Sequence, residues 1–446
     1  MQRVALVAPG EDLPAVLAAA GRAALVEIDA AGTGPERQGR GSPGIEEVMG
    51  RMARSGPVAA TTGWCPAASV DRLALTLAPH GGAVVRLPSP PGAEPPTLIT
   101  GHGPSGAFQP LIDTYATVPY RDVNPAALAG LSYVLMFGMM FADVGHGLLL
   151  LVAGLVIRSG RASPHRPTRW AWRARLAPFW PFVIGCGIAS TAAGLLFGEA
   201  FGPTGLAPRL WMQPLDHPTT LLAVALAVGG VLLAVSYAVG IVNRWREGGP
   251  ASAVVALSGA AGAGLYAGLA AVVIGIVYHL PAMAGAGALL AGVGLVTGFV
   301  GCFAAAGGHG AGALQATVET FDATLRIGSN TVSFTRLAAF GLTHAALGEV
   351  IWKGTTGVWS GGPALWLPAA LLFAVGNAAA FALEGLVAAV QALRLEYYEM
   401  FSRVFVTEGR PFRPWGVPRT GATDAAAGGP LGTGRIDGQE ATCSRG

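Results

Sequence analysis

The chain has 446 residues and a formal net charge of +3; 52% of it is hydrophobic and only 12% is charged. That apolar excess excludes an ordinary soluble protein of this length and points to a membrane protein. The charge is too weak to argue for nucleic acid. The four cysteines, Cys65, Cys186, Cys302 and Cys443, lie too far apart for a metal-binding or redox pair.

In chain order, MQRVALVA reads as a strand, EDLPAVLAAAGRA as a short helix and ALVEIDA as a second strand. Glu11 and Asp12 interrupt the first apolar stretch, so no cleaved signal peptide is expected. A Gly/Pro/Arg-rich connection follows at 31–44. IEEVMGRMARSG then reads as a short helix and VAATTGWCP as a strand. DRLALTLAPHGG and AVVRLPSPPGAEPPTLI complete a small α/β region, and the prolines from Pro88 to Pro96 mark a linker. Residues 1–124 are therefore expected to form a small α/β domain with its linker, on the side of the membrane where the N-terminus lies.

From residue 125 the chain changes character, and 125–408 reads as a transmembrane, mainly α domain. Apolar segments fall at roughly 126–141, 143–158, 177–198, 219–242, 253–279 and 283–306, with two longer ones at about 315–352 and 364–404. A crossing takes about 20 apolar residues. The first two are short for that and pair around the FADVGHG junction, where Gly145 and Gly147 permit a break. The last two exceed one crossing and are expected to tilt or project. Eight helices return the chain to its starting side.

The 158–176 loop holds six arginines and NRWREGG two more, whereas the alternate loops hold one arginine and one lysine. The positive-inside bias puts both termini in the cytoplasm, and the setting is expected to be a prokaryotic plasma membrane. Residues 409–446 are expected to be a cytoplasmic, disordered tail.

Ionisable residues inside a membrane are costly and usually face protein or water. On the seventh segment Ser329, Ser333, Arg336, Thr343 and His344 fall near one stripe. On the eighth, Asn377, Glu384 and Gln391 recur every seven residues, with Arg394 three further on. Bland readings stand beside the functional one. Arg394 can snorkel to the headgroups, Arg336 and Glu384 can form a structural ion pair, and His344 can be a satisfied buried histidine. Two matching polar stripes suit a proton or cation path. Ser333, Thr343, Asn377 and Gln391 are its polar candidates.

SFTRLAAFGLTHAAL and LEGLVAAVQALRLEYYEMFSRVFVTEGRPFRPW resemble the C-terminal helices of the membrane subunit a (or I, the 116 kDa subunit) of V/A-type rotary ATPases. PLIDTYATVPYRDVNPAALAGLSYVLMFGMMFADVGHGLLLL, ASTAAGLLFGEAFG, VGIVNRWREGG, GWCP and MQRVALVA extend the likeness over nearly the whole chain. The resemblance implies that Arg336 is the stator arginine and Arg394 the second arginine, ten residues after Glu384. It also implies that His344 is the histidine eight residues after Arg336.

It further implies two aqueous half-channels for protons, or for sodium in relatives, against a rotating ring of proteolipid subunits. Peripheral stalk subunits would be partners, and the central stalk and nucleotide-binding sector indirect ones. No cofactor, metal or catalytic residue is implied. The chain has no GxxxxGK[ST] motif for ATP.

The family's long cytosolic coiled-coil arms have no counterpart before residue 124, so docking on at most one stalk is expected. Two other classes remain open. A secondary transporter would be marked by internal repeats with matching broken helices, which the two halves lack. A non-conducting assembly or scaffold subunit would have no need of Arg336, His344, Glu384 and Arg394.

Overall fold

The computed structural model describes residues 1–29, 44–90, 93–98, 108–113, 117–159, 176–404 and 409–416. The 31–43 connection, most of the arginine-rich loop, the chain beyond residue 416 and Cys443 lie outside the described residues. The molecule divides into two compact units, Met1–Ala93 joined by the stretch from Arg413, and Glu94–Phe412. The boundary between Ala93 and Glu94 falls inside the proline-rich stretch.

The smaller unit is a layer of helices on an antiparallel sheet. Its elements are β1 (Gln2–Pro9), α1 (Leu13–Ala23), β2 (Glu27–Ile28), α2 (Ile45–Arg51), β3 (Ala53–Ser55), β4 (Val58–Cys65), α3 (Val70–Leu77) and β5 (Ala83–Leu87). The sheet runs β2-β4-β1-β5, with β3 on β4. β1 lies between β4 and β5, and its Val4, Ala5, Leu6 and Ala8 are all buried. Its register pairs Val4 with Gly63 and Arg3 with Leu87. Val4, Leu6 and Ala8 form one core with Leu13, Val16 and Leu17 of α1 and Leu73 and Leu77 of α3.

Trp415 is 3% exposed in that same core, and its backbone N–H donates to Val26 O at 2.8 Å. The head of the segment expected to be a disordered tail is thus ordered. An indole buried against the α1 face has more to gain from packing than from hydration.

The larger unit is all-helical. It contains α4 (Gln109–Asp113), α5 (Ala126–Met140), α6 (Val144–Ser159), α7 (Trp180–Phe197), α8 (Pro218–Val255) and α9 (Ala260–Val277). Then come α10 (Pro281–Ala305), α11 (Gly310–Ser333), α12 (Thr335–Trp359) and α13 (Trp366–Leu395), which runs on as a π-helical turn over Glu396–Phe401. Five of the described helical stretches are long and apolar enough to cross a membrane: Ala177–Phe197, Pro218–Val255, Ala260–Val277, Pro281–Ala305 and Pro363–Phe401. α5 and α6 are shorter apolar helices.

Two expected boundaries change. The segment expected at 315–352 is two helices, divided at Phe334. Phe334 is fully buried, and its ring fills the space over Gly229 of α8 that a Cβ there would need. α11 is also not uniformly apolar, because Glu319, Asp322 and Arg326 lie on it, the last two joined at 2.6 Å. Further up the chain, the fourth helix continues to Val255 through a kink at Gly249, where φ is 76° ahead of Pro250. A proline cannot donate within a helix, so the break falls at the residue before it.

Candidate functional site

The site gathers around the start of α6. Asp143 precedes this helix and caps it: its Oδ1 accepts the His146 N–H at 2.8 Å. A short carboxylate side chain there takes one of the four donors a helix start leaves unpaired. Its Oδ2 accepts the Gly202 N–H at 3.0 Å. Gly202 has φ +87°, and a Cβ on it would sit 2.7 Å from Gly348 O of α12. Only glycine lets the loop after α7 approach α12 so closely while reaching Asp143. The Ser190 hydroxyl of α7 donates to Phe141 O at the same junction.

His146 follows one helical turn after Asp143 and is 2% exposed. Its Nδ1 lies 3.7 Å from Asp143 Oδ1, too far for a hydrogen bond. Neither ring nitrogen has a hydrogen-bond partner, although the backbone of Asn377 comes near. The ring stands 5.7 Å from that of His344, and the Phe141 ring lies 5.0 Å from His344 and 5.4 Å from His146. Glu199, in the loop after α7, is 4% exposed.

Across α12 and α13, His344 Nδ1 and Glu384 Oε2 are 2.5 Å apart. His344 is 5% exposed, and the carboxylates of Glu384, Asp143 and Glu199 are all in electrostatic reach of it. Bringing a carboxylate and an imidazole together in a water-poor setting makes the pair strongly interacting.

Arg336 is half-buried in the first turn of α12, and its buried Nη1 has no hydrogen-bond partner. Among the described residues the Arg336–Glu384 ion pair weighed from the sequence is not formed; Glu384 holds His344 instead. Helix geometry explains this. Eight residues separate Arg336 from His344, roughly 12 Å along the axis. α12 and α13 are antiparallel neighbours joined by a short turn, so Arg336 stands level with the chain around Gln391–Arg394. Gln391 is half-buried with Oε1 unpartnered, and Arg394 is exposed.

The polar candidates separate. Asn377 is 7% exposed, and its side-chain amide donates to Phe373 O at 2.9 Å. The Thr343 hydroxyl donates to Ala339 O at 2.9 Å on an exposed face, one position round the helix from buried His344. Ser329 and Ser333 belong to α11, across the break from Arg336. Asp143, His146 and Glu199 were not singled out by sequence reading. Their signal was an acid and a histidine three apart within the apolar FADVGHG junction, and an acid in LLFGEAFG.

A family model described as the V-type ATPase 116kDa subunit family matches residues 49–204 and 311–417, more than half of the chain. Those stretches hold Asp143, His146, Glu199, Arg336, His344, Glu384 and Arg394. The A-type ATP synthase subunit I of Thermococcus kodakarensis is 25% identical over 385 residues, which is 82% of this chain and 55% of that protein. Its counterpart in Aeropyrum pernix is 28% identical over 368 residues, covering 69% and 49%. The human V-type proton ATPase 116 kDa subunit a 3 is 30% identical over 120 residues, covering 26% and 14%. The chain spans about half the length of the curated A-type relatives it matches. With more than half of its residues under the family model, the chain belongs to the V-type ATPase 116kDa subunit family, a family of non-catalytic ATPase membrane subunits.

Proposed function

We propose that this chain is the stator of a rotary ATPase membrane sector, providing two aqueous half-channels for protons past a ring of proteolipid subunits. The observation that carries this is the half-buried His344–Glu384 pair at 2.5 Å, which joins α13 to the helix that bears Arg336. An imidazole–carboxylate pair within hydrogen-bond reach exchanges protons readily. Asp143, His146 and Glu199 extend this buried polar cluster.

Arg336 has a different task. A ring carboxylate crossing hydrocarbon is stable only when neutral. Beside a fixed guanidinium its charged form is favoured, so the proton leaves there. Arginine suits this because it does not deprotonate. The uncovered side of α13 is apolar, with Leu383 66%, Leu386 65% and Val390 53% exposed beside Arg394. Such a face suits either lipid or the outer surface of an apolar ring. Eight membrane helices with both termini cytoplasmic, and docking to peripheral stalk subunits, complete the reading. A sodium ion in place of the proton would be a property of the ring.

The test is Arg336→Gln in the assembled, reconstituted complex. ATP-driven acidification of vesicles should fall to background while assembly persists. Wild-type acidification by the assembled variant would rule the proposal out.

A further inference from the structure

We propose that Asp143, His146 and His344 form a binding site for a divalent transition-metal ion of the zinc class. One ligand atom from each lies within 4.8 Å of the others, and all three residues are buried, at 0%, 2% and 5% exposure. His146 supplies the independent sign that something is to be bound. Its side chain is 3% exposed, it points into the cluster, and neither nitrogen makes a hydrogen bond. A buried polar group left unpaired is costly. Neutral imidazole is the commonest protein ligand for metal ions.

The donor set selects the ion. Two imidazoles and a carboxylate suit zinc and its neighbours, whereas magnesium and calcium prefer all-oxygen shells. Tetrahedral zinc with bonds of 2.0–2.1 Å holds its ligands about 3.4 Å apart. The three donors would draw together by about 1.4 Å at most, which small rotations of the two imidazoles supply. The supporting shell is already in place. Glu384 Oε2 holds His344 Nδ1 at 2.5 Å, leaving the other ring nitrogen for the ion. The His146 and Gly202 amides orient the Asp143 carboxylate at 2.8 and 3.0 Å. A carboxylate behind a ligating histidine is the arrangement that fixes its tautomer and raises its basicity. The carboxylates of Asp143, Glu199 and Glu384 offset the charge of a dication in a low-dielectric setting.

Binding stands on this geometry alone. Its consequence, that a bound ion takes His344 out of proton exchange with Glu384 and stops transport, rests on the proposed function. The two are tested separately. The full-length chain in detergent is freed of metal with a chelator and titrated with zinc chloride against a chromophoric competitor. One zinc ion per chain is expected at this site, with affinity falling at least about tenfold in His146→Ala and His344→Ala.

His146→Cys, which replaces one donor by another, should retain the ion, and so should Arg336→Gln. Should His146→Ala not fold, His146→Phe keeps a planar ring there without a donor atom and serves instead. Unchanged zinc affinity in the folded variant that lacks a donor at position 146, or no zinc bound by the wild-type chain, overturns the site. Zinc should also stop ATP-driven acidification by the reconstituted complex. Full pumping with the site filled would leave the site standing and overturn the half-channel reading.

Discussion

At the scale of single residues, the proposed path gives His344 and Glu384 different work. There the carboxylate would both relay protons and hold the imidazole, which it contacts at 2.5 Å, while water can stand in for an imidazole more easily. Glu384→Gln should therefore slow ATP-driven transport more than His344→Ala, each read as initial acidification rate in reconstituted vesicles. Equal, wild-type rates for both variants would remove them from the path. Asp122 makes a separate prediction, outside the helices. It is 8% exposed, and its carboxyl is pushed up to about 7 from an ordinary 3.8, first by burial and then by the neighbouring Glu247. Between about pH 4 and 7 the folded chain thus holds a proton that the unfolded chain has released. Stability from this group falls as pH rises through that window. Asp122→Asn should flatten the decline in thermal midpoint between pH 5 and pH 8 and raise the midpoint at pH 8. Parallel pH curves for variant and wild type would contradict this.

At the scale of elements, the junction that carries Asp143 depends on how closely α6 and α7 approach. A Cβ on Gly187 would stand 2.8 Å from Leu151 N, and one on Gly147 would stand 2.6 Å from Thr191 N. In a bilayer, close backbone contact through small residues is a main source of helix association. Gly292 of α10, also in an apolar helix, has nothing within 4 Å of where its Cβ would be. Gly187→Val should cost roughly 1–3 kcal/mol or more through forced separation of the helices. Gly292→Val should cost far less. Thermal unfolding of the two purified variants compares them, and similar losses would show that the close approach is not limiting. The π-helical turn after α13 is held in a comparable way. Glu396, fully buried, accepts the Ser132 hydroxyl of α5 at 2.7 Å, and the Tyr397 hydroxyl donates to Leu111 O at 2.9 Å.

At the scale of the whole molecule, the proposed orientation follows from the arginines of the 158–176 loop and of the NRWREGG stretch. Single cysteines placed between residues 160 and 175 should be labelled by impermeant reagents only after cells are opened. Labelling of intact cells would reverse the orientation and exchange the two half-channels. The reading of one protein as two compact units is a property of packing. Trp415 joins a core made by residues more than three hundred positions earlier. No periodicity within the local sequence marks that contact, because it repays chain closure only once the α1 and β4 surfaces exist.

The sequence by itself determined the membrane character, the helical larger unit, the strands at MQRVALVA and VAATTGWC of the smaller one, and the placing of His344 and Glu384 on polar stripes of two apolar helices. These follow from composition and from periodicities of 2 and 3.6, which are local quantities. Tertiary structure alone decided three things. Phe334 breaks the long seventh segment because Gly229, on another helix, leaves room for its ring. Glu384 is held by His344 and not by Arg336, because antiparallel packing sets which residues stand level. Asp143, His146 and Glu199 join the site because the loop after α7 folds back through Gly202 onto α12. Each is a contact between residues distant in sequence, and the pattern around either partner is equally consistent with plain burial.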